Sequence, residues 1–223
     1  RRQRQMCIRD SIKAGTKPEE MIDALQTAQN GGKPFPAEKF VNKIPVKKHD
    51  HVLIPAGTVH CSGADTMVLE ISATPYIFTF KLWDWGRVDL DGKPRPIHLE
   101  HGAANIQWYR NTEWVHRNLV NAVAEVYTGE NGTVVRTGLH EREFLDTFRF
   151  TTSSPLPVHR NVSVHMLNLV DGTRAVLRSK SDAFPPLELH YAETCIVPQA
   201  AGDYEISSPD GSEVKVILAC VRN

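Results

Sequence analysis

The chain has 223 residues, and its 26 Lys+Arg against 26 Asp+Glu leave a formal net charge of zero with His neutral. A nucleic-acid binder working through phosphates carries a basic excess, and a membrane-surface binder a basic face, so neither class is supported and small molecules are the expected partners. At 41% hydrophobic residues, and with no apolar run approaching the roughly 18 to 20 residues that cross a bilayer, no transmembrane helix is predicted. Cys7, Cys61, Cys195 and Cys220 lie far apart and form no CxxC pair. Neither a disulfide framework nor a thiolate zinc knuckle is therefore read, and a reducing cytoplasm is the expected setting. Oligomeric state is not legible.

The opening RRQRQMCIRDS lacks the apolar core of a secretory signal, and the chain does not begin with Met, so a missing upstream part is expected. The run resembles translated sequencing-adapter sequence, and Arg1 to Ser11 are set aside from the fold as a non-native lead-in. From Lys17 to Ala28, KPEEMIDALQTA places Met21, Ile22, Leu25 and Ala28 at helical spacing, with Pro18 and two Glu in the first turn. Asn30-Gly31-Gly32 stops that helix.

Beyond it the period changes to strands. HVLIP, MVLEIS, YIFTFKLWDW, TVVRTG, FLDTFRF, SVHMLNLV, RAVLRS, LELHYAETCIVP, YEIS and EVKVILACV are short, β-branched or aromatic, and divided by Gly, Pro, Asp or Ser. Many short strands with frequent turns predict a β-sandwich or barrel. Residues 99–124 read as a partly helical connector. The expected division is 12–49 as helical segment and lead-in, 50–101 and 129–223 as two β units, and 102–128 as the connector.

The most specific local signal is HDHVLIPAGTVH, His49 to His60. A short buried strand, a Pro-Ala-Gly turn and a histidine opening the next strand suit a metal site, because the turn reverses tightly and the strand fixes the imidazole. His49 and His51 form an HxH pair that would share one strand face. The turn resembles the second conserved motif of the cupins, GD-x4-P-x-G-x2-H, with His49 in the usual Gly position. IPVKKHDHVLIPAGTVHCSG, then MVLEI, then FKLWDWGRVDLDGKPRPIHLEHG together resemble the class I mannose-6-phosphate isomerases, strongly from about Ile44 to Gly102 and more faintly to the C-terminus.

That resemblance implies a mainly β, cupin or jelly-roll protein: the C-terminal half of a catalytic cupin barrel, short helices, and a second cupin-like lobe without metal. It implies the zinc-dependent interconversion of mannose 6-phosphate and fructose 6-phosphate, a sugar phosphate substrate, and one zinc ion. His60 matches the last of the family's zinc ligands, and the Gln-x-His pair and Glu that complete the set are expected before residue 1. Alone, the chain is expected to be inactive. Glu70 matches the glutamate beside the metal, where a carboxylate can shuttle a proton between adjacent carbons. Alternation alone also allows a solvated edge residue.

Family members carry an arginine, within SD-x3-R, at the position of Lys81, and Ile77 stands at the aspartate's. The charge is kept and the bidentate fork is lost. Two further readings therefore stand beside the first: an isomerase or epimerase on another sugar or sugar phosphate, and a non-catalytic sugar-binding cupin. Arg87, between Asp84 and Asp89, reads as a loop-holding pair, and His98 carries no ligand role. Glu188 and His190 are a possible ligand pair, but no PxGxxH turn follows them.

Overall fold

A computed structural model describes residues 7–72, 79–93, 95–141, 143–159 and 163–222, and the side chains from residue 11 onward. The chain divides into two units, Arg1–Asn121 and Ala122–Asn223.

The first unit is built on a three-stranded antiparallel sheet of β1 (Cys7–Ile12), β2 (Val41–Pro45) and β3 (His60–Ser62), in the order β2-β1-β3. The central strand runs through the segment that the sequence set aside, so Cys7 to Ser11 have a place in the fold that local pattern did not suggest. The β1–β2 ladder slips between Asp10 and Ile12. Ser11 sits at that bulge with φ +66°; it is buried, and its Oγ accepts from Asn42 Nδ2 at 2.7 Å. A hydroxyl with a fixed partner helps hold such a left-handed residue in place.

The predicted helix forms as α1 (Pro18–Gln29). Proline's fixed φ suits the first position, where an N–H would lack a partner, and Glu19 and Glu20 face the positive end of the dipole. Met21 and Leu25, one turn apart, are fully buried in a cluster with Phe35, Ala37, Phe40 and Val41. The rings of Phe35 and Phe40 stack across the short α2 (Ala37–Phe40) at 5.5 Å. Two more short helices, α3 (Leu99–Asn105) and α4 (Thr112–Asn118), follow within the first unit. The Asn111 side chain caps α4 by accepting from Trp114 N–H, and Val115 and Leu119 bury against Ile44 of β2.

Three expected strands of this unit behave differently. HVLIP makes only an isolated bridge, Val52 to Val120, and Leu53 N–H donates to Leu119 at 3.0 Å. MVLEIS forms no strand, and Met67, Val68 and Leu69 stand exposed, Met67 at 82%. Of YIFTFKLWDW, residues 76–78 lie outside the described residues, and 79–85 form no strand. Strand-like composition states a preference; a strand needs a neighbour whose N–H and C=O groups complete the ladder. Among the described residues, none pairs with 67–72.

The second unit is two facing antiparallel sheets. Six strands, β4 (Ala124–Gly129), β5 (Gly132–Arg136), β6 (Leu145–Thr152), β8 (His165–Asp171), β11 (Thr194–Val197) and β13 (Val214–Val221), assemble in the order β11-β8-β13-β6-β5-β4. Four, β7 (Leu156–Val158), β9 (Arg174–Ser179), β10 (Leu187–His190) and β12 (Tyr204–Ser207), assemble as β10-β9-β12-β7. Side chains alternate in and out with period two. Leu167 and Leu169 of β8 and Val214, Val216 and Leu218 of β13 meet Leu177 of β9 and Tyr204 and Ile206 of β12 in one continuous core.

LELHYAETCIVP, read as one strand, is two. β10 joins the smaller sheet and β11 the larger, with Ala192 at φ +66° turning the corner. The hairpin joining β4 to β5 depends on Gly132 (φ +134°), where a Cβ would lie 2.2 Å from the Thr151 carbonyl oxygen.

Candidate functional site

The PAGTVH turn is built before its histidine is reached. Thr58 N–H donates to the Pro55 carbonyl at 3.2 Å, closing the turn around Gly57 at φ +84°. Only glycine fits there: an added Cβ would stand 2.6 Å from Asn105 O and 2.7 Å from Gln107 Cγ. Gln107 N–H donates to Gly57 O at 2.9 Å. Arg110 completes the clasp, its Nη1 lying 3.1 Å from Pro55 O, 2.6 Å from Ala56 O and 2.8 Å from Thr58 Oγ1. Its guanidinium lies over the rings of Tyr109 and Trp114, at 5.6 and 5.3 Å from their centroids.

His60 follows on β3, paired with Asp10 of β1 and exposed to solvent. Its Nδ1 lies 2.9 Å from the Thr58 carbonyl oxygen. A carbonyl only accepts, so this hydrogen bond assigns the proton to Nδ1 and leaves the Nε2 lone pair available. Metal-binding histidines are held in the same way by a backbone carbonyl on the second nitrogen.

Glu70 is exposed on the unladdered stretch that follows β3. Lys81 is half-buried, its Nζ 3.5 Å from Asp84 Oδ2. Arg95 Nε reaches the same oxygen at 3.1 Å. Asp84 is thus held by Lys81 and Arg95, where the sequence pointed to Arg87; Asp89 instead accepts from the backbone N–H of Asp91 and Lys93. Lys81 and His98 are also tied through the backbone, His98 N–H to Lys81 O at 2.8 Å and Lys81 N–H to His98 Nδ1 at 3.3 Å. Beside them an open concavity of about 600 Å³ lies between α1 and residues 97–103, lined by Gln26, Gln29, His98, Glu100 and His101. Ile77 lies outside the described residues.

The HxH pair does not share a strand face, because His49 sits in a turn at φ +71° and His51 in loop. In the second unit Glu188 pairs with Arg174 at 3.1 Å and His190 with Glu193 at 3.1 Å, so each of the two has its own partner. The His190 backbone N–H, donating to the same carboxylate at 2.8 Å, and then its ring hold the Glu193 carboxyl below the usual range. Deeper in the sandwich, His165 Nδ1 meets Tyr204 Oη at 2.9 Å. Burial, then the nearby thiols of Cys195 and Cys220, push the Tyr204 phenol well up, and burial likewise raises the Cys195 thiol. Among the described residues no group of three or more His, Cys, Asp or Glu is arranged to hold a metal ion. No described helix is long and apolar enough to cross a membrane.

Sequence reading missed Arg110 and Arg95. Both are single basic residues whose roles depend on contacts formed only in the folded chain, and no local pattern marks them.

The second unit is a sandwich of two antiparallel sheets of the jelly-roll kind, and the first carries a Pro-x-Gly-x2-His turn opening onto a strand. No family model matches the chain. It is 35% identical over 63 residues to the mannose-6-phosphate isomerase of Streptococcus mutans, a stretch covering 28% of this chain and 20% of that protein. It is 33% identical over 70 residues to the mannose-6-phosphate isomerase ManA of Bacillus subtilis, covering 31% of this chain and 22% of that one. The crystal structure of the Bacillus subtilis mannose 6-phosphate isomerase superposes with a TM-score of 0.64 at 14% identity, covering 96% of this chain and 60% of the other. A mutant phosphomannose isomerase from Salmonella typhimurium gives 0.57 at 10% identity, covering 98% and 64%. The chain therefore spans about three fifths of the solved proteins it resembles, and the aligned stretch about a fifth of the curated ones. The chain shares the fold of these solved mannose-6-phosphate isomerases.

Proposed function

We propose that this chain is part of a zinc-dependent aldose-ketose isomerase that interconverts mannose 6-phosphate and fructose 6-phosphate. The observation that carries the reading is the 33–35% identity to proteins named mannose-6-phosphate isomerase. The fold of the chain and the fixed tautomer of His60 agree with it.

His60 fits zinc as one ligand, through Nε2. The other ligands are those that the resemblance places before residue 1, since the described residues do not assemble a set by themselves. When bound, the ion supplies Lewis acidity to the sugar oxygens beside the reacting carbons. Glu70 takes the proton from C2 of the aldose and returns it to C1, passing through an enediol. Lys81 stands as the cation facing the oxygen that gains negative charge. Its ion pair with Asp84 can open at little cost, because Arg95 continues to neutralise the same carboxylate.

The test is turnover of mannose 6-phosphate by the gene product that carries this chain, with zinc and after chelation. Activity that needs zinc, falls at least a hundredfold in Glu70→Gln and vanishes in His60→Ala is expected. Full activity in His60→Ala, or no turnover by the zinc-loaded wild type, overturns the proposal. Turnover of a different sugar phosphate in the same assay favours the second substrate reading.

A further inference from the structure

We infer that Arg110 is a positioning residue for His60, holding the turn that fixes which imidazole nitrogen faces outward; its relevance to metal binding rests on the reading of His60 as a ligand proposed above. The argument follows a short chain of contacts. One guanidinium nitrogen meets two backbone carbonyls and a hydroxyl within the same four residues, Pro55 O, Ala56 O and Thr58 Oγ1, at 3.1, 2.6 and 2.8 Å. Thr58 then uses its own carbonyl to accept from His60 Nδ1 at 2.9 Å. Thr58 is buried and fastened at its N–H, its hydroxyl and its carbonyl, so the orientation of that carbonyl is set by the turn.

Arg110 is itself held. Its N–H donates to Gln107 O at 3.0 Å, and Gln107 N–H grips Gly57 O from the other side of the turn. The Tyr109 and Trp114 rings meet edge to face at 5.7 Å, and the guanidinium lies over both. Trp114 is in turn tied to the Asn111 cap of α4. The planar guanidinium also lies over two aromatic rings, a stacking that a lysine ammonium, a point charge on a flexible stem, does not reproduce. Residues that orient a metal ligand from outside typically change metal affinity 10- to 100-fold when replaced.

Arg110 touches neither substrate nor metal in this scheme, so its test reads the imidazole itself. In the 223-residue chain, long-range ¹H–¹⁵N correlation spectra at pH 8 are expected to show His60 predominantly as the Nδ1–H tautomer. In Arg110→Met, His60 is expected to move toward the Nε2–H form that free imidazole favours, while signals from residues 122–223 stay in place. Arg110→Lys is expected to fall between the two. Zinc added to the gene product that carries this chain is expected to shift the His60 ring signals, with at least a tenfold weaker response in its Arg110→Met variant. A folded Arg110→Met chain with the wild-type His60 tautomer overturns the inference. If Arg110→Met loses the fold of the first unit, Arg110→Lys decides: an unchanged tautomer there overturns the inference and a shifted one supports it. Should Arg110→Met shift the tautomer while zinc leaves His60 untouched in the gene product that carries this chain, Arg110 orients the ring and the reading of His60 as a ligand falls by itself.

Discussion

Replacing Gly57 by alanine isolates the turn from everything around it. The residue holds φ +84°, and the new Cβ would stand 2.6 Å from Asn105 O and 2.7 Å from Gln107 Cγ. A left-handed backbone costs an L-residue about 1 to 2 kcal/mol. Relieving a contact with a backbone oxygen at that distance also pushes the turn away from residues 105–107, lengthening the 2.9 Å bond from Gln107 N–H to Gly57 O. A lost hydrogen bond of this kind is worth about 1 kcal/mol. The expected loss is therefore about 2 to 3 kcal/mol, confined to the first unit. Tryptophan fluorescence reads that unit alone, because Trp83, Trp85, Trp108 and Trp114 all lie in it. Urea unfolding followed at the tryptophans should move by that amount, and His60 should lose its tautomer bias along with the turn. A Gly57→Ala chain with the wild-type midpoint and an unaltered His60 would refute the account of the turn.

Three further outcomes concern the second unit. Leu177→Ala, at a site with no exposure in the sandwich core, should cost about 2 to 5 kcal/mol in unfolding followed by far-ultraviolet circular dichroism, and a change below about 1 kcal/mol would show the core to be loosely packed. Burial raises the Tyr204 phenol above its unfolded value near 10, so the stability it contributes is present below about pH 10 and is lost as pH rises from there toward the folded value. Tyr204→Phe should flatten that alkaline decline, and a decline of wild-type steepness would remove Tyr204 as its cause. Asp210 is held down to about 2 by hydrogen bonds from Ser212 and Ser208. Its stabilising effect is present above about pH 4 and lost as pH falls through 2. In Ser212→Ala the carboxyl should titrate nearer the ordinary aspartate range by NMR, and no movement would count against the hydrogen-bond cause.

Several elements were plain in the sequence because their causes are local. α1 carries its proline, its acidic first turn and its Met21-Leu25 spacing within twelve residues. RAVLRS and YEIS coincide with β9 and β12, short apolar-centred runs with turn residues at both ends. Elsewhere a local signal misled. MVLEIS has strand composition and no ladder partner among the described residues, and LELHYAETCIVP hides a corner because Ala192, a residue with no turn preference, takes the left-handed conformation. The HxH spacing implied one strand face, and a turn at His49 removed it.

For the candidate site, the turn and its histidine were legible because Pro55, Gly57, Thr58 and His60 act over six residues, where backbone preference alone decides the reversal. Which nitrogen of His60 carries the proton was not, since that depends on the Thr58 carbonyl of a turn clasped by Arg110, more than fifty residues along the chain. The partners of Asp84 were set in the same way, by Arg95 coming back across a loop. Sequence by itself determined the mainly β class, the helix and the reversal before His60, because period, propensity and glycine's freedom act between near neighbours. Tertiary structure alone decided which strands found partners, where β1 lies, and what holds the imidazole, because those depend on groups that meet only once the chain has folded.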